Sequence, residues 1–144
     1  MIFAALLQAA ASHLTPPAPP PPAWIGGFTC DVREQSGAAY SVSGELREWR
    51  RGRGISDTGR FSIRAPASSR LAGDYDATLT GNLMVITNQQ QRLNGTTQSL
   101  NRIILDGPRS GEGTIMIKSV HTAPDRDEQA SSVGFCAMAF RTAG

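Results

Sequence analysis

The sequence predicts an all-β domain of about eight antiparallel strands, folded as a small barrel or as a two-sheet sandwich. Three observations lead to this fold class. Segments of alternating apolar and polar residues recur from Trp24 onward, and glycine-rich breaks separate them. Two hairpin turns in the middle of the chain bring one apolar set to the same face of three strands. The first and last strands each carry a cysteine on their apolar face, so a disulfide can join them.

The segment before this domain has the composition of an export signal followed by a spacer. Residues 2–11 form a short apolar run that ends in three alanines, which suits signal peptidase, although no basic residue precedes the run. Residues 12–23 are rich in proline, which fixes φ and lacks an amide donor, and this predicts an extended linker. We therefore expect a signal peptide at 1–11, a linker at 12–23 and one all-β domain at 24–144, located in the periplasm or secreted.

The predicted strands follow from the alternation along the domain. In the first strand, Phe28, Cys30 and Val32 alternate with polar neighbours. The second strand has one apolar face and ends near Trp49, and residues 50–59 predict a loop. A further loop or single helical turn is expected at 66–72. The eight strands are predicted at 28–34, 39–49, 60–65, 74–80, 83–93, 96–106, 113–121 and 132–140.

Two turns fix the register in the middle of the chain. Gly81-Asn82 is a preferred two-residue hairpin turn, so residue 79 faces 84 and residue 77 faces 86. A second turn centred on Asn94-Gly95 pairs 86 with 103 and 84 with 105. Both turns place the same apolar residues on one side of the sheet, and a slip of one residue would destroy this agreement. The shared set is Tyr75, Ala77, Leu79, Met84, Ile86, Ile103 and Leu105.

The same strands have two unusual features. Their opposite face is also apolar over residues 83–86 and 103–105, which predicts either cover by the chain's own elements or a homodimer contact. Residues 88–101 are polar on both faces, which is typical of a solvated loop or of a projecting polar arm. The amide and hydroxyl groups of such an arm suit sugars or a peptide backbone.

Cys30 and Cys136 both lie on the apolar side of a terminal strand. A lone pair of cysteines in an exported chain is expected to oxidise. A disulfide requires Cα atoms roughly 4.4–6.8 Å apart. We therefore predict that the first and last strands are neighbours, or face each other across two sheets.

Composition excludes several classes of protein. The chain has 144 residues, and its 14 basic and 12 acidic side chains give a net charge of +2, which exerts little long-range attraction on nucleic acid. No apolar run reaches the ~18 residues of a membrane span. Aromatic residues make up 6% of the chain, too few for the girdles of an outer-membrane barrel.

The sequence offers little catalytic chemistry. Asp57-Thr58-Gly59 has the tripeptide of dimeric aspartic proteases, but Ser56 and Arg60 flank it where an apolar and a small residue are usual. The same three residue types are also common in turns. We therefore predict no catalytic residue and no cofactor, and keep an aspartic protease as a minor alternative.

An acidic segment follows the seventh predicted strand. His121, Asp125, Asp127 and Glu128 carry groups that bind divalent cations, but their spacing matches no known calcium loop. We therefore predict a solvated acidic loop and no metal site.

Positive charge is concentrated around the end of the second strand. Arginine beside an exposed tryptophan can hold a phosphate, a carboxylate or an anionic glycan through forked hydrogen bonds and stacking. It can also bind an acidic protein. A flexible solvated loop is the alternative interpretation. The candidate binding residues are Trp49, Arg50, Arg51 and Arg53.

These observations predict an exported, non-enzymatic β-domain that serves as a binding or inhibitor-like module of a bacterial envelope. The expected partner is an unknown protein or an anionic glycan, and neither nucleic acid nor a membrane span is expected. The second interpretation is a barrel that carries a small apolar ligand. A solid core would favour the binding module, and an empty internal cavity would favour the carrier.

Overall fold

The computed structural model describes residues 23–91 and 98–143. They form a closed antiparallel barrel in which each strand pairs with the next and the last pairs with the first. This confirms the all-β prediction and decides for a barrel over a sandwich. The strands are β1 Trp24–Glu34, β2 Ala39–Arg50, β3 Ser56–Arg64, β4 Gly73–Thr80, β5 Leu83–Gln91, β6 Gln98–Asp106, β7 Ser110–Ala123 and β8 Arg126–Thr142.

Several sequence predictions concern residues outside the described ranges. These are the signal peptide at 1–11, the linker except for its last residue, and the turn at Asn94-Gly95. Within the described ranges, none of the helical structure is long and apolar enough to cross a membrane.

The strand boundaries differ from the predicted ones in three places. β1 begins at Trp24 rather than at residue 28, because Gly26 and Gly27 interrupt the visible alternation without ending the strand. β3 begins at Ser56, so Asp57-Thr58-Gly59 lies in a strand and not in the predicted loop. β8 begins at Arg126 rather than at residue 132, because it pairs with the end of β7 as a ribbon that is not apolar, and β7 begins three residues earlier than predicted, at Ser110.

The register predicted for the central hairpins is confirmed. Leu79 pairs with Met84 and Ala77 with Ile86 across the Gly81-Asn82 turn, where Gly81 has a φ of 57°. Ile86 in turn pairs with Ile103, and Met84 pairs with Leu105. A positive φ is what a two-residue hairpin turn requires and what glycine supplies without a Cβ clash.

The interior of the barrel is a solid apolar core. Met84, Ile86, Ile103 and Leu105 have no exposed surface. Phe61 packs between two other rings, with centroids 5.8 Å from Phe28 and 6.1 Å from Phe140. An eight-stranded barrel is just wide enough for side chains to fill its interior, and here they do so.

The barrel closes along the seam between β1 and β8. Cys30 lies directly opposite Cys136 in the register of this seam, and a disulfide joins them. The Cα atoms are 4.0 Å apart, somewhat less than predicted. The predicted link between the first and last strands is confirmed.

We expect the double substitution Cys30→Ala/Cys136→Ala to lower the free energy of unfolding by about 4–5 kcal/mol, because the disulfide closes a very long loop in the unfolded chain. Urea denaturation measures this change. Reduction of the wild-type protein, which keeps both side chains, is the matched control and should cost a similar amount. A loss of less than about 1 kcal/mol in both experiments would contradict the chain-entropy argument.

Candidate functional site

One end of the barrel carries a polar cup, which we call the mouth. β4 pairs with β5 only as far as Asp76 opposite Thr87, whereas β5 continues to Gln91 and pairs there with β6. β7 and β8 likewise continue past the end of β1. The upper parts of β5–β8 thus form a wall, and the β3–β4 connector, residues 65–72, lines the cup together with this wall. The cup is open to solvent and has a volume of about 1330 Å³.

The inner face of this wall changes from apolar to polar toward the mouth. The uppermost row of the core consists of register partners on successive strands: Ile86, Ile103, Ile117 and Ser132. The next row toward the mouth is Asn88, Asn101, Ser119 and Ala130. The row after that includes Ser99, His121 and Glu128. Over these two rows, the inward side chains therefore change from mainly isoleucine to mainly hydrogen-bonding residues.

The connector closes the core beneath the mouth. Leu71 is buried, and its carbonyl oxygen accepts a hydrogen bond of 2.6 Å from the Tyr75 hydroxyl. The neighbouring Arg70 has a left-handed backbone with a φ of 58°, and its carbonyl accepts a bond of 3.3 Å from Asn101 Nδ2. A left-handed conformation is uncommon outside glycine. Here it follows the 3₁₀ turn Ala67–Ser69 and turns the chain into the barrel.

Burial changes the acidity of both tyrosines at this end. Burial raises the pKa of Tyr75 to about 12, and Asn101 partly opposes this by hydrogen bonding. Burial also raises the pKa of Tyr40, whose hydroxyl lies 3.0 Å from Ser132 Oγ, and the charge of Glu34 adds to the effect. Both tyrosines therefore stay neutral hydrogen-bonding groups at physiological pH.

The outermost polar row is held by side-chain contacts. Ser99 Oγ lies 2.7 Å from His121 Nδ1, and His121 is the direct register partner of Glu128. The Glu128 carboxylate lies 3.6 Å from Arg70 Nη1, which links the wall to the connector. The row presents hydroxyl, imidazole and carboxylate groups together, and these donate and accept hydrogen bonds. Ser99 and His121 are also the residue types of a nucleophile and its base.

Trp49, one of the sequence-predicted binding residues, lies at the opposite end of the barrel. A β-bulge between Leu46 and Glu48 shifts the register of β2 by one residue. This shift places Trp49 opposite Gly59, on the inner face, where it is half-buried and packs against the core. The expectation of an exposed tryptophan is therefore wrong, because simple alternation without a bulge puts residue 49 outside.

Trp49 belongs to a plug that closes this end. Its ring centroid is 5.9 Å from that of Trp24, and the Arg109 guanidinium carbon lies 5.4 Å from both ring centroids. Burial lowers the pKa of Arg109, and the negative charge of Asp57 opposes this shift. The guanidinium is thus placed on two aromatic faces, an arrangement that stabilises a cation.

The three predicted arginines do not join this plug. Arg50 Nη2 lies 2.8 Å from Glu48 Oε1 on the outer surface, and Arg51 and Arg53 are exposed in the loop that follows. An exposed pair of this kind contributes little stability. The structure therefore separates Trp49 from the arginines with which the sequence groups it.

Asp57 has structural contacts. It is paired in β3 with Leu79 of β4, and its Oδ1 accepts a hydrogen bond of 2.9 Å from the backbone N–H of Gly52. This bond anchors the loop between β2 and β3. The presence of Asp57 at this position is therefore accounted for by this bond, without a proton shared with a second aspartate.

The acidic segment is dispersed. His121 and Glu128 face the mouth, whereas Asp125 and Asp127 are exposed around the β7–β8 turn. Among the residues that the structure describes, no three histidine, cysteine or acidic side chains come together as they would at a metal site.

Sequence reasoning identified the segment 88–101 as polar but did not identify the mouth, which Gln89, Ser99 and Asn101 of this segment line. The signal was present in the alternation of β6, where Ser99 and Asn101 continue the inward face of Ile103 and Leu105. His121 continues the inward face of Ile115 and Ile117 in the same way. The closure of the barrel and the position of the connector are what turn these residues into one cup.

We expect the stability of the protein to fall as the pH rises from about 10 to about 12. Tyr75 loses its proton near pH 10 in the unfolded chain, but only near pH 12 in the folded protein. The unfolded state is therefore favoured in this interval, and stability below it is unaffected. Urea denaturation at several pH values measures the slope, which Tyr75→Phe should flatten. Because the chain has two tyrosines, tyrosinate absorbance of Tyr40→Phe reports Tyr75 alone, and an ordinary titration near pH 10 would contradict the prediction.

We expect Trp49→Ala to lower the free energy of unfolding by about 2–4 kcal/mol, since it removes a large ring from the plug. Arg50→Ala is the matched control on the adjacent residue and should change it by no more than about 0.5 kcal/mol. Chemical denaturation of both variants measures the difference. Equal effects would mean that Trp49 is not part of the packed structure.

Comparisons with known protein families, curated proteins and solved structures found no match to this chain.

Proposed function

We propose that this protein is an exported, non-enzymatic binding module that holds a neutral, hydroxyl-rich ligand, an oligosaccharide, in the mouth of the barrel. The observation that carries the proposal is the replacement of the isoleucine row by two polar rows above a solid core. Polar side chains on the inner face of a small barrel do not contribute to apolar packing. Placed around an open cavity, they can form hydrogen bonds with a polar ligand.

The hydrogen-bonding groups of the mouth match sugar hydroxyls. Ser99, Ser119 and Asn101 all donate and accept hydrogen bonds, as a hydroxyl does. Ser99 contacts His121, and Asn101 donates a hydrogen bond to the Arg70 carbonyl. These two side chains are therefore held in place before a ligand arrives, which reduces the entropy lost on binding.

The charges of the mouth favour a neutral ligand over an anionic one. Glu34 and Glu128 line it together with Arg70, whose guanidinium is close to Glu128. The net charge of these three side chains is therefore negative. An anionic glycan would be repelled by this cup, so the anionic ligands expected for the arginine segment would have to bind at the opposite end.

The size of the cavity favours several linked units. Pockets for small ligands occupy about 300–1,000 Å³, and the mouth is larger, at about 1330 Å³. The interior beneath it is filled, which argues against the alternative of a barrel that carries a small apolar ligand. Asp57 is held by local contacts, which argues against the aspartic protease. The disulfide supports an oxidising compartment, and we propose the periplasm or the cell exterior.

We expect the purified protein to bind neutral envelope oligosaccharides and to release them intact. Calorimetric titration should show Ser99→Ala and His121→Ala weakening the binding by roughly threefold to tenfold each, the value of one hydrogen bond. Ser62→Ala, on the outer surface of β3, is the matched control and should bind like the wild type.

Two outcomes would contradict the proposal. Failure to bind any neutral oligosaccharide, or equal losses in Ser62→Ala and Ser99→Ala, would remove the mouth as the site. Cleavage of the ligand that Ser99→Ala abolishes would keep the mouth but make it an active site, with Ser99 as the nucleophile.

A further inference from the structure

The outer surface of β5–β8 carries a band of exposed apolar side chains, which we call the apolar strip. Phe135 is 78% exposed, Val133 58%, Met116 44% and Leu83 40%. No described segment of the chain covers them. The strip consists of four exposed residues, Leu83, Met116, Val133 and Phe135, and two half-buried ones, Val85 and Ile104.

The strip is continuous because its members are cross-strand neighbours. Val85 pairs with Ile104, Ile104 with Met116, and Met116 with Val133, so these four form one row across four strands. Leu83 and Phe135 lie two residues away from this row on β5 and β8, on the side away from the mouth. Scattered apolar residues are normal on a surface, but a contiguous apolar band with a polar rim is typical of an interaction site.

Charges of opposite sign flank the row. Arg102 lies two residues from Ile104 on the mouth side, and Asp106 lies two residues from it on the other side. On β7, Lys118 lies on the mouth side of Met116, and Glu112 lies on the other side. All four are exposed. The face is therefore positive toward the mouth, apolar in the middle and negative toward the opposite end.

We propose that the apolar strip binds a second copy of this chain in an antiparallel, two-fold symmetric dimer. A two-fold axis along the row turns the second copy end for end. Ile104 and Met116, in the middle of the row, then meet their own counterparts, and Arg102 meets the partner's Asp106. The two-fold symmetry forms this ion pair twice, so the same surface of each copy supplies both the positive and the negative partner.

The charges also select this arrangement over the parallel one. A two-fold axis along the strands would bring Arg102 and Lys118 against the same residues of the second copy, and like charges across an interface are strongly unfavourable. The antiparallel dimer points its two mouths in opposite directions and leaves both open. It also extends the homodimer face predicted over residues 83–86 and 103–105 by two further strands.

Sedimentation equilibrium of the full chain over a range of concentrations tests the proposal. We expect a dimer of twice the chain mass for the wild type. Met116→Glu places two carboxylates face to face and should weaken the association roughly tenfold or more. Ile55→Glu is the matched control, because Ile55 is 88% exposed but lies in the β2–β3 loop. This variant should still form dimers.

A charge exchange gives the sharper test. Arg102→Asp and Asp106→Arg should each weaken the dimer, since each brings two pairs of like charges together. The double variant Arg102→Asp/Asp106→Arg should restore the association, because the ion pair is formed again in reverse. A monomeric wild type at every concentration would overturn the proposal. So would a double variant that is weaker than both single variants.

Discussion

The closure of the sheet between β1 and β8 is the constraint on which the rest of this structure depends. The two strands pair along the whole of β1, and the disulfide between Cys30 and Cys136 holds the seam covalently. A closed sheet has no edge strands to protect and has one inner face that must be filled. The first and last strands of the domain meet at this seam. Once the seam is closed, every strand has one face toward the core and one face toward the outside of the barrel.

The division between inside and outside accounts for both proposed sites. The inward residues of β5–β8 are apolar in the body of the barrel and become polar where these strands rise beyond β1 and β4, which creates the mouth. The outward residues of the same strands form the apolar strip. β5–β8 therefore carry a hydrogen-bonding cup on one face and an apolar band on the other. The two sites do not compete, because the side chains of a strand point alternately to opposite faces.

The sequence predicted the parts of the fold that depend on local signals. Gly81-Asn82 determined a hairpin register that the structure reproduces, and the alternation around Cys30 and Cys136 placed both cysteines on the apolar side. The prediction failed where one residue changes the register. The bulge after Leu46 turns Trp49 inward, and a bulge has no reliable signal in a single sequence. Trp49 therefore points to the inner face, whereas the neighbouring arginines are exposed.

The sequence by itself determined the all-β class, the register of the central hairpins and the disulfide, because alternation, turns and paired cysteines are short-range or countable features. Only the tertiary structure decided between a barrel and a sandwich, since this depends on whether β1 pairs with β8. It also decided where the functional surfaces lie. Ser99, His121 and Glu128 come from three strands and meet through long-range pairing, and Arg70 joins them because its connector folds over the core. Contacts between residues far apart in the chain are set by closure of the sheet, which no local pattern encodes.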